Sequence, residues 1–410
     1  MGLPQQAETV SKLIAAGMTI LGTSGETAVT IRNVAAAAGL SAPTVQRHFP
    51  AKEDLLLALH DAALERDAAR LAQLGTVLPA LGPRGMEGAQ AIACALIADS
   101  CGANASDTLA RVAALASIAR RDGARSMARR WASRRQAVLA QALAGTVAAP
   151  RRDARFLLEY LTGVELLSLG CRRHPMIPIL NAELVEHGFR VAIGQSRAQC
   201  PAWFRYCASQ VLRERHQENQ ASQGGRTAHA RDVILAASAR ILAEHGPAEL
   251  THRAVAKEAQ IAPSLVSYHF RSKNDLLYGA YRYIHDRFAT APVPATTSPT
   301  RATLNVVIDT GAGAKPAYVA SLETIIAAAY DSELADFAWR TRMTRGVYYL
   351  HPEWSDQDEL NATDFSVHAF SVWTVGATLL AQACWTGKRR EQCLHSRFAE
   401  AEQRFSTGRL

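Results

Sequence analysis

The chain has 410 residues, 48% of them hydrophobic and 20% charged, with a formal net charge of +8 and a pI near 9.3. That length carries two or more domains, each with its own core; the positive balance permits an acidic partner without establishing one. No basic-then-apolar leader stands at Met1–Ala16, and the most apolar run, Val372–Cys384, is too short to span a bilayer. A soluble, cytoplasmic protein without a membrane partner is expected. The seven cysteines show no CxxC pair and no zinc-like spacing with histidine, so no metal and no cofactor is expected. Cys94/Cys101 and Cys200/Cys207 each fall on one helical face, as redox partners or, more simply, as small buried side chains.

In chain order, Leu13, Ala16, Ile20 and Leu21 repeat at helical spacing until Gly22–Gly25 ends the run. Thr30 caps a second helix, Thr30–Ala38, which Gly39 breaks. Ser41 opens a short helix, Ser41–Phe49, and Pro50-Ala51-Lys52 turns into a long one reaching about Leu74. The Gly- and Pro-rich stretch Gly75–Gly88 reads as a loop. Helices follow over Ala89–Ala144, with breaks near Gly102–Ser106 and Asp122-Gly123. Within them Arg120–Arg135 is the most basic segment, either a patch for an anion or the solvated face of a helix that turns Met127, Trp131 and Val138 inward. Asp153–Arg172 carries a broad apolar stripe that includes Phe156, Tyr160, Val164 and Leu167, and Ile179–Gln195 is amphipathic. Trp203–Arg215 continues as helix, whereas Gln217–Thr227 is polar, without apolar period, and reads as a linker.

Past that linker the plan returns. His48-Phe49 reappears as His269-Phe270, 221 residues on, and at the same offset, without gaps, Thr30 falls on Thr251, Arg32 on Arg253, Val34-Ala35 on Val255-Ala256, Val45 on Val266, Lys52 on Lys273 and Asp54-Leu55-Leu56 on Asp275-Leu276-Leu277. Such a run at one offset indicates an internal duplication. The second copy comprises a helix through Val233, Ala237, Ile241 and Leu242, a short helix Ala262–Phe270, a fourth helix Leu276–Ala289 and a loop Pro292–Thr300. Helices over Ser321–Ala329, Ala335–Leu350, Asp364–Trp385 and Arg389–Arg404 complete it. Gly376, Leu379, Leu380 and Cys384 repeat the spacing of Gly163, Leu166, Leu167 and Cys171.

Two short helices packed through small residues, with one polar face outward, make a helix-turn-helix. Both units resemble the DNA-binding domain of the TetR family of bacterial transcriptional regulators: a capped helix, a recognition helix ending in His-Phe, and a Lys before a Leu-rich fourth helix. The resemblance is specific for about fifty residues in each half. It implies an all-α protein of two TetR-like units, divided as 1–60 and 229–281 (helix-turn-helix domains), 61–200 and 282–410 (helical regulatory and dimerisation cores) and 201–228 (linker). It also implies that the last two core helices of each unit form a four-helix bundle with their counterparts.

The same resemblance gives site residues. Thr30 and Thr251 donate to phosphate at a helix N-terminus, with Ser41 a further hydroxyl that Ala262 does not replace, and Lys52 and Lys273 neutralise phosphate. Thr44, Gln46, Arg47 and His48 are the readers of the first half, and Ser264, Ser267, Tyr268 and His269 those of the second. An unknown small-molecule effector is expected in the cores, with Trp339, His368 and Trp373 as lining and Trp131 and Tyr160 as counterparts. The second core is rich in such polar aromatics, which include Tyr330, Tyr348, Tyr349, His351 and Trp354.

The implied function is a ligand-responsive regulator, a repressor by default, bound to double-stranded operator DNA as an intramolecular pseudo-dimer; a further homo-oligomer is compatible with it. A dimer of chains using one dominant reader, or an architectural DNA-binding protein that reads no sequence, stay open. An enzyme is not expected: there is no G-x-S-x-G, H-E-x-x-H, P-loop or Rossmann glycine pattern.

Overall fold

A computed structural model describes residues 3–78, 85–120, 124–145, 147, 149–195, 199–222, 226–246, 249–290, 317–347 and 359–406; every regular element among them is helical. Pro292–Thr300 and the aromatics Tyr348, Tyr349, His351 and Trp354 lie outside the described residues.

Caps and glycines lay out the first head. α1 (Leu3–Ser24) buries Leu13, Met18 and Leu21. α2 (Ile31–Ala38) begins where the Thr30 hydroxyl accepts the Asn33 amide at 3.0 Å. It ends at Gly39, whose φ of 66° lets the Leu40 amide return to the Ala35 carbonyl at 2.9 Å. α3 (Ala42–His48) is capped by Ser41, and α4 (Lys52–Val77) starts where Asp54 accepts the Ala51 amide at 3.0 Å. Val34, Ala35, Val45, Phe49, Leu55 and Leu59 fill the space between the four helices. The second head, α11 (Arg226–His245), α12 (His252–Ala259), α13 (Pro263–His269) and α14 (Lys273–Thr290), repeats this with Val255, Ala256, Val266, Phe270 and Leu276 inside. Here Gln260, at φ 55°, occupies the left-handed position that Gly39 holds in the first head.

The first core consists of α5 (Gly85–Cys101), α6 (Ala105–Arg120), α7 (Arg125–Ala142), α8 (Pro150–Leu169) and α9 (Ile177–Ala192). In the second are α15 (Ala317–Tyr330), α16 (Ala335–Thr344), α17 (Ala362–Cys384) and α18 (Gly387–Ser406). α10 (Ala202–Ser222) runs between the halves.

Three boundaries differ from the sequence reading. The expected linker is helical through Ser222, because Glu, Gln, Arg and Ala all favour helix even where no apolar face recurs. Its first turns bury Phe204, Cys207, Ala208, Val211 and Leu212, and it packs on α9 and α16. The expected loop Gly75–Gly88 is narrower, since α4 runs to Val77 and α5 starts at Gly85. The helix expected over Ala335–Leu350 ends at Thr344; Arg345 turns extended and Gly346 sits at φ 82°.

The halves meet most closely where α8 crosses α17. A Cβ added at Gly163 would lie 2.0 Å from the Val372 carbonyl oxygen, and one at Gly376 would lie 1.9 Å from that of Glu159. The contact is reciprocal: Glu159 and Gly163 stand to Val372 and Gly376 as equivalent positions, 213 residues apart. α9 and α18 pack on this pair to complete four helices. Tyr330 adds a second junction, its hydroxyl 3.0 Å from the Leu21 carbonyl and 2.9 Å from that of Leu109.

The basic run, from Arg120 at the end of α6 along α7, is exposed at Arg120, Arg130 and Arg134 and buried at Arg135, with Trp131 turned inward. Arg120 pairs with Glu323, Arg130 with Asp61 and Arg134 with Glu65. Arg125 and Arg129 donate to the carbonyls of Gln382 and Cys384 at the C-terminus of α17, where positive charge is favoured. α17 itself is long and apolar enough to cross a membrane by length and composition, but 83% of its most apolar window is buried in the protein. All seven cysteines are free thiols, and burial pushes Cys101 and Cys384 up to about 12 and Cys171 to about 11, the opposite of a reactive thiolate.

Candidate nucleic-acid interface

On α3, Val45 and Phe49 are one turn apart and face the head's core, which leaves Gln46 and Arg47 exposed on the other side. Thr44 is half-buried and tied to Ser41, hydroxyl to hydroxyl at 2.8 Å. His48 is half-buried at the helix end. Thr30 accepts a backbone amide, so its own hydrogen is left to donate to an anion at the N-terminus of α2; half-buried Lys52 opens α4.

α13 presents Ser264, Ser267 and Tyr268 outward while Val266 and Phe270 pack inside. Tyr268 is 75% exposed, and its ring meets half-buried His269 edge-on at 5.2 Å. Thr251 accepts the Ala254 amide at 3.1 Å, as Thr30 does in the first head. No side chain caps α13, because Ala262 stands where Ser41 does. Ahead of exposed Lys273, Ser272 and Asp275 exchange side chain-to-backbone bonds at 3.0 and 2.9 Å, a capping box that the first head has only in half. Two elements are specific to this copy: His252 Nε2 lies 2.7 Å from the Phe270 carbonyl, and Arg231 covers the Phe270 ring at 5.0 Å.

Arg32 and Arg253, exposed in the first turns of α2 and α12 beside the capping threonines, were not among the sequence candidates. Their signal was there: the gapless repeat aligns them.

The five candidate lining residues do not converge on one place. Trp131 is buried between Arg111 and Arg135, 5.5 and 5.6 Å from their guanidinium carbons, and donates to Asp67 at 2.7 Å. That cluster, with Glu165, ties α4 to α6, α7 and α8. Burial opposes the charge on Asp67 and Glu165, yet Arg111 and Arg135 hold both carboxyls below their usual range. Trp373 donates across the junction to Glu159 at 3.0 Å and stacks on Phe156, which also stacks on Tyr160. Trp339 is half-buried against His174, rings 3.6 Å apart. His368 packs on Phe204 of α10 at 4.5 Å, its Nδ1 2.9 Å from the Arg345 carbonyl. The indoles of Trp131 and Trp373 thus have partners, whereas the Tyr160 hydroxyl and His368 Nε2, both buried, have none.

Two four-helix heads, each with a threonine-capped second helix and an outward-facing third, and each set on a helical core, make an all-α protein with two helix-turn-helix units. Residues 13–59 and 234–278 each match the family described as bacterial regulatory proteins, tetR family. Each half of the chain thus carries the DNA-binding domain of that family, and the two matches support a DNA-binding role in transcription regulation. Of solved structures, the multidrug binding protein EbrR complexed with imidazole matches at 22% identity, over 43% of this chain and 93% of that one, with a TM-score of 0.35. No curated protein matches the chain.

Proposed function

We propose that the chain is a ligand-responsive repressor that occupies operator DNA as an intramolecular pseudo-dimer, each recognition helix reading a different half-site. The observation that carries this reading is the reciprocal crossing of Gly163 and Gly376, which joins the two cores as two-fold partners join, inside one polypeptide. Tethering places the second reader at high effective concentration once the first is bound, so a second chain is not needed. The half-sites are unlike because the readers are unlike: Gln46 and Arg47 suit adenine and guanine in the major groove, whereas Ser267 and Tyr268 offer hydroxyls and an apolar ring. Thr30, Thr251, Lys52 and Lys273, with Arg32 and Arg253, hold phosphates and set register. The effector enters the cores.

Selection from random duplex DNA by the full-length chain tests this. An asymmetric consensus with two dissimilar halves is expected; a perfect palindrome would mean that one reader dominates and two chains assemble.

A further inference from the structure

One helix of the second core touches both heads. α15 packs on α11 and α14 of the second head and, across the junction, on α6 and α8 of the first core. The turn that closes the first helix of each head comes against it. In the second head that turn is Gly246, at φ 81°, where an added Cβ would lie 2.9 Å from the Glu323 carboxylate. In the first head it is Gly25, at φ 78° and aligned with Gly246 by the repeat. There the nearest atoms to an added Cβ are those of the Tyr330 ring, from 3.7 Å. Glu323 and Tyr330 are seven residues apart, hence on one face of α15.

Polar contacts tie this arrangement together. The Tyr330 hydroxyl reaches two carbonyls, that of Leu21 at 3.0 Å and that of Leu109 at 2.9 Å. Leu21 stands in the last turn of α1, where carbonyls lack partners within the helix, and Leu109 is on α6. Glu323 accepts from Arg120, at the end of α6, at 3.0 Å. Three residues past Tyr330, exposed Glu333 accepts from Asn274, the neighbour of Lys273 at the start of α14. Direct contacts therefore run from α1 of the first head, through α15 and the turn after it, to the end of α14 where Lys273 stands.

A head tied only to its own core would swing independently of the other. Tyr330 joins the first head to the helix on which the second head rests. We propose that Tyr330, with Glu333 at the far end of the path, is a positioning residue that fixes the separation and relative twist of the two recognition helices. The chain then selects the spacing between half-sites as well as their sequences, an inference that rests on the pseudo-dimer reading. One base pair inserted between half-sites moves the second by about 3.4 Å along the duplex and about 35° around it. Heads held through α15 do not follow that shift without breaking the Tyr330 contacts, and the gain from tethering is lost where geometry forbids joint engagement.

Fluorescence anisotropy of the full-length chain tests this on the selected duplex and on duplexes with one base pair added or removed between its halves. Sedimentation equilibrium counts the chains on each. Wild type is expected to lose affinity by about tenfold or more on the altered duplexes. Tyr330→Phe keeps the ring against Gly25 and loses only the hydroxyl. It should bind the unaltered duplex within about threefold of wild type and lose no more than about threefold on the altered ones. Glu333→Ala, at an exposed position that does not endanger folding, should flatten the profile from the other end. Tyr160→Phe removes a buried phenol oxygen that has no hydrogen-bond partner, and should keep the wild-type profile. One chain per duplex with an equally steep profile for wild type and both path variants would overturn the role of Tyr330 and leave the pseudo-dimer standing. A flat profile for wild type would do the same. Two chains per duplex would overturn both.

Discussion

Replacing Gly376 by alanine is the sharpest perturbation of the junction. In an ordinary helix the change is favourable, because alanine exceeds glycine in helix propensity by about 1 kcal/mol. At Gly376 the new Cβ would sit 1.9 Å from the Glu159 carbonyl oxygen and 2.7 Å from the Gly163 nitrogen, both backbone atoms of α8. No rotamer relieves a backbone clash, so α8 and α17 must separate along their closest contact, in a core that is close-packed. Overpacking costs about 1–3 kcal/mol where side chains give way, and here the upper end or beyond is expected. Gly75→Ala is the control, since its Cβ would meet the end of the flexible Gln141 side chain at 3.2 Å and Val138 Cγ2 at an ordinary contact distance of 3.6 Å. Urea titration followed by circular dichroism should therefore place the Gly376→Ala midpoint well below wild type and that of Gly75→Ala at or above it. A Gly376→Ala protein as stable as wild type would refute the close crossing and the reciprocal packing built on it.

Other expectations follow from single groups. Gln260→Gly should raise the stability of the second head by about 1 kcal/mol, and Gly39→Ala should lower that of the first by about 1–2 kcal/mol, because both positions are left-handed; hydrogen exchange on α12 and α2 reads each head separately. Asp67→Asn should cost about 3–5 kcal/mol in chemical denaturation, since it strips charge from buried Arg111 and Arg135. Burial raises Glu159 from an ordinary carboxylate to about 7, despite opposition from Arg397 and the Trp373 N–H. The folded state then holds a proton that the unfolded state has lost, so this stabilisation is complete below about pH 4.5 and declines as pH rises to about 7. Stability measured over that range should slope for wild type and slope less for Glu159→Gln, by up to about 3 kcal/mol in total. Lys52→Ala and Lys273→Ala should each reduce the salt dependence of DNA binding by about one unit of slope, measured by fluorescence anisotropy across a salt series.

The heads were legible because their constraints are local. A capping threonine, a left-handed turn after α2 and an alternation of inward Val45 and Phe49 with outward Gln46 and Arg47 are written within about twenty residues. The cores obey contacts between residues far apart in the chain. The spacing of Gly163 and Gly376 was visible, but only the crossing reveals that neither tolerates a Cβ. Trp131 was correctly turned inward, yet its indole serves an ionic cluster whose members lie on four helices. Arg130 and Arg134 do form an exposed face on α7, whereas the inward partners of Arg129 and Arg135, the Cys384 carbonyl and the carboxylates Asp67 and Glu165, are dispersed along the sequence. Only the second part of α10 was missed, because past Leu212 a run polar on every side has no period to detect.

The most direct test is the stoichiometry of the complex with the selected DNA site. Sedimentation equilibrium of the full-length chain on that duplex should give one chain per site. Arg47→Ala in the first reader and Tyr268→Ala in the second should then each weaken only the half-site that its helix faces. Two chains per site, or a complex indifferent to one of the two substitutions, would contradict the pseudo-dimer.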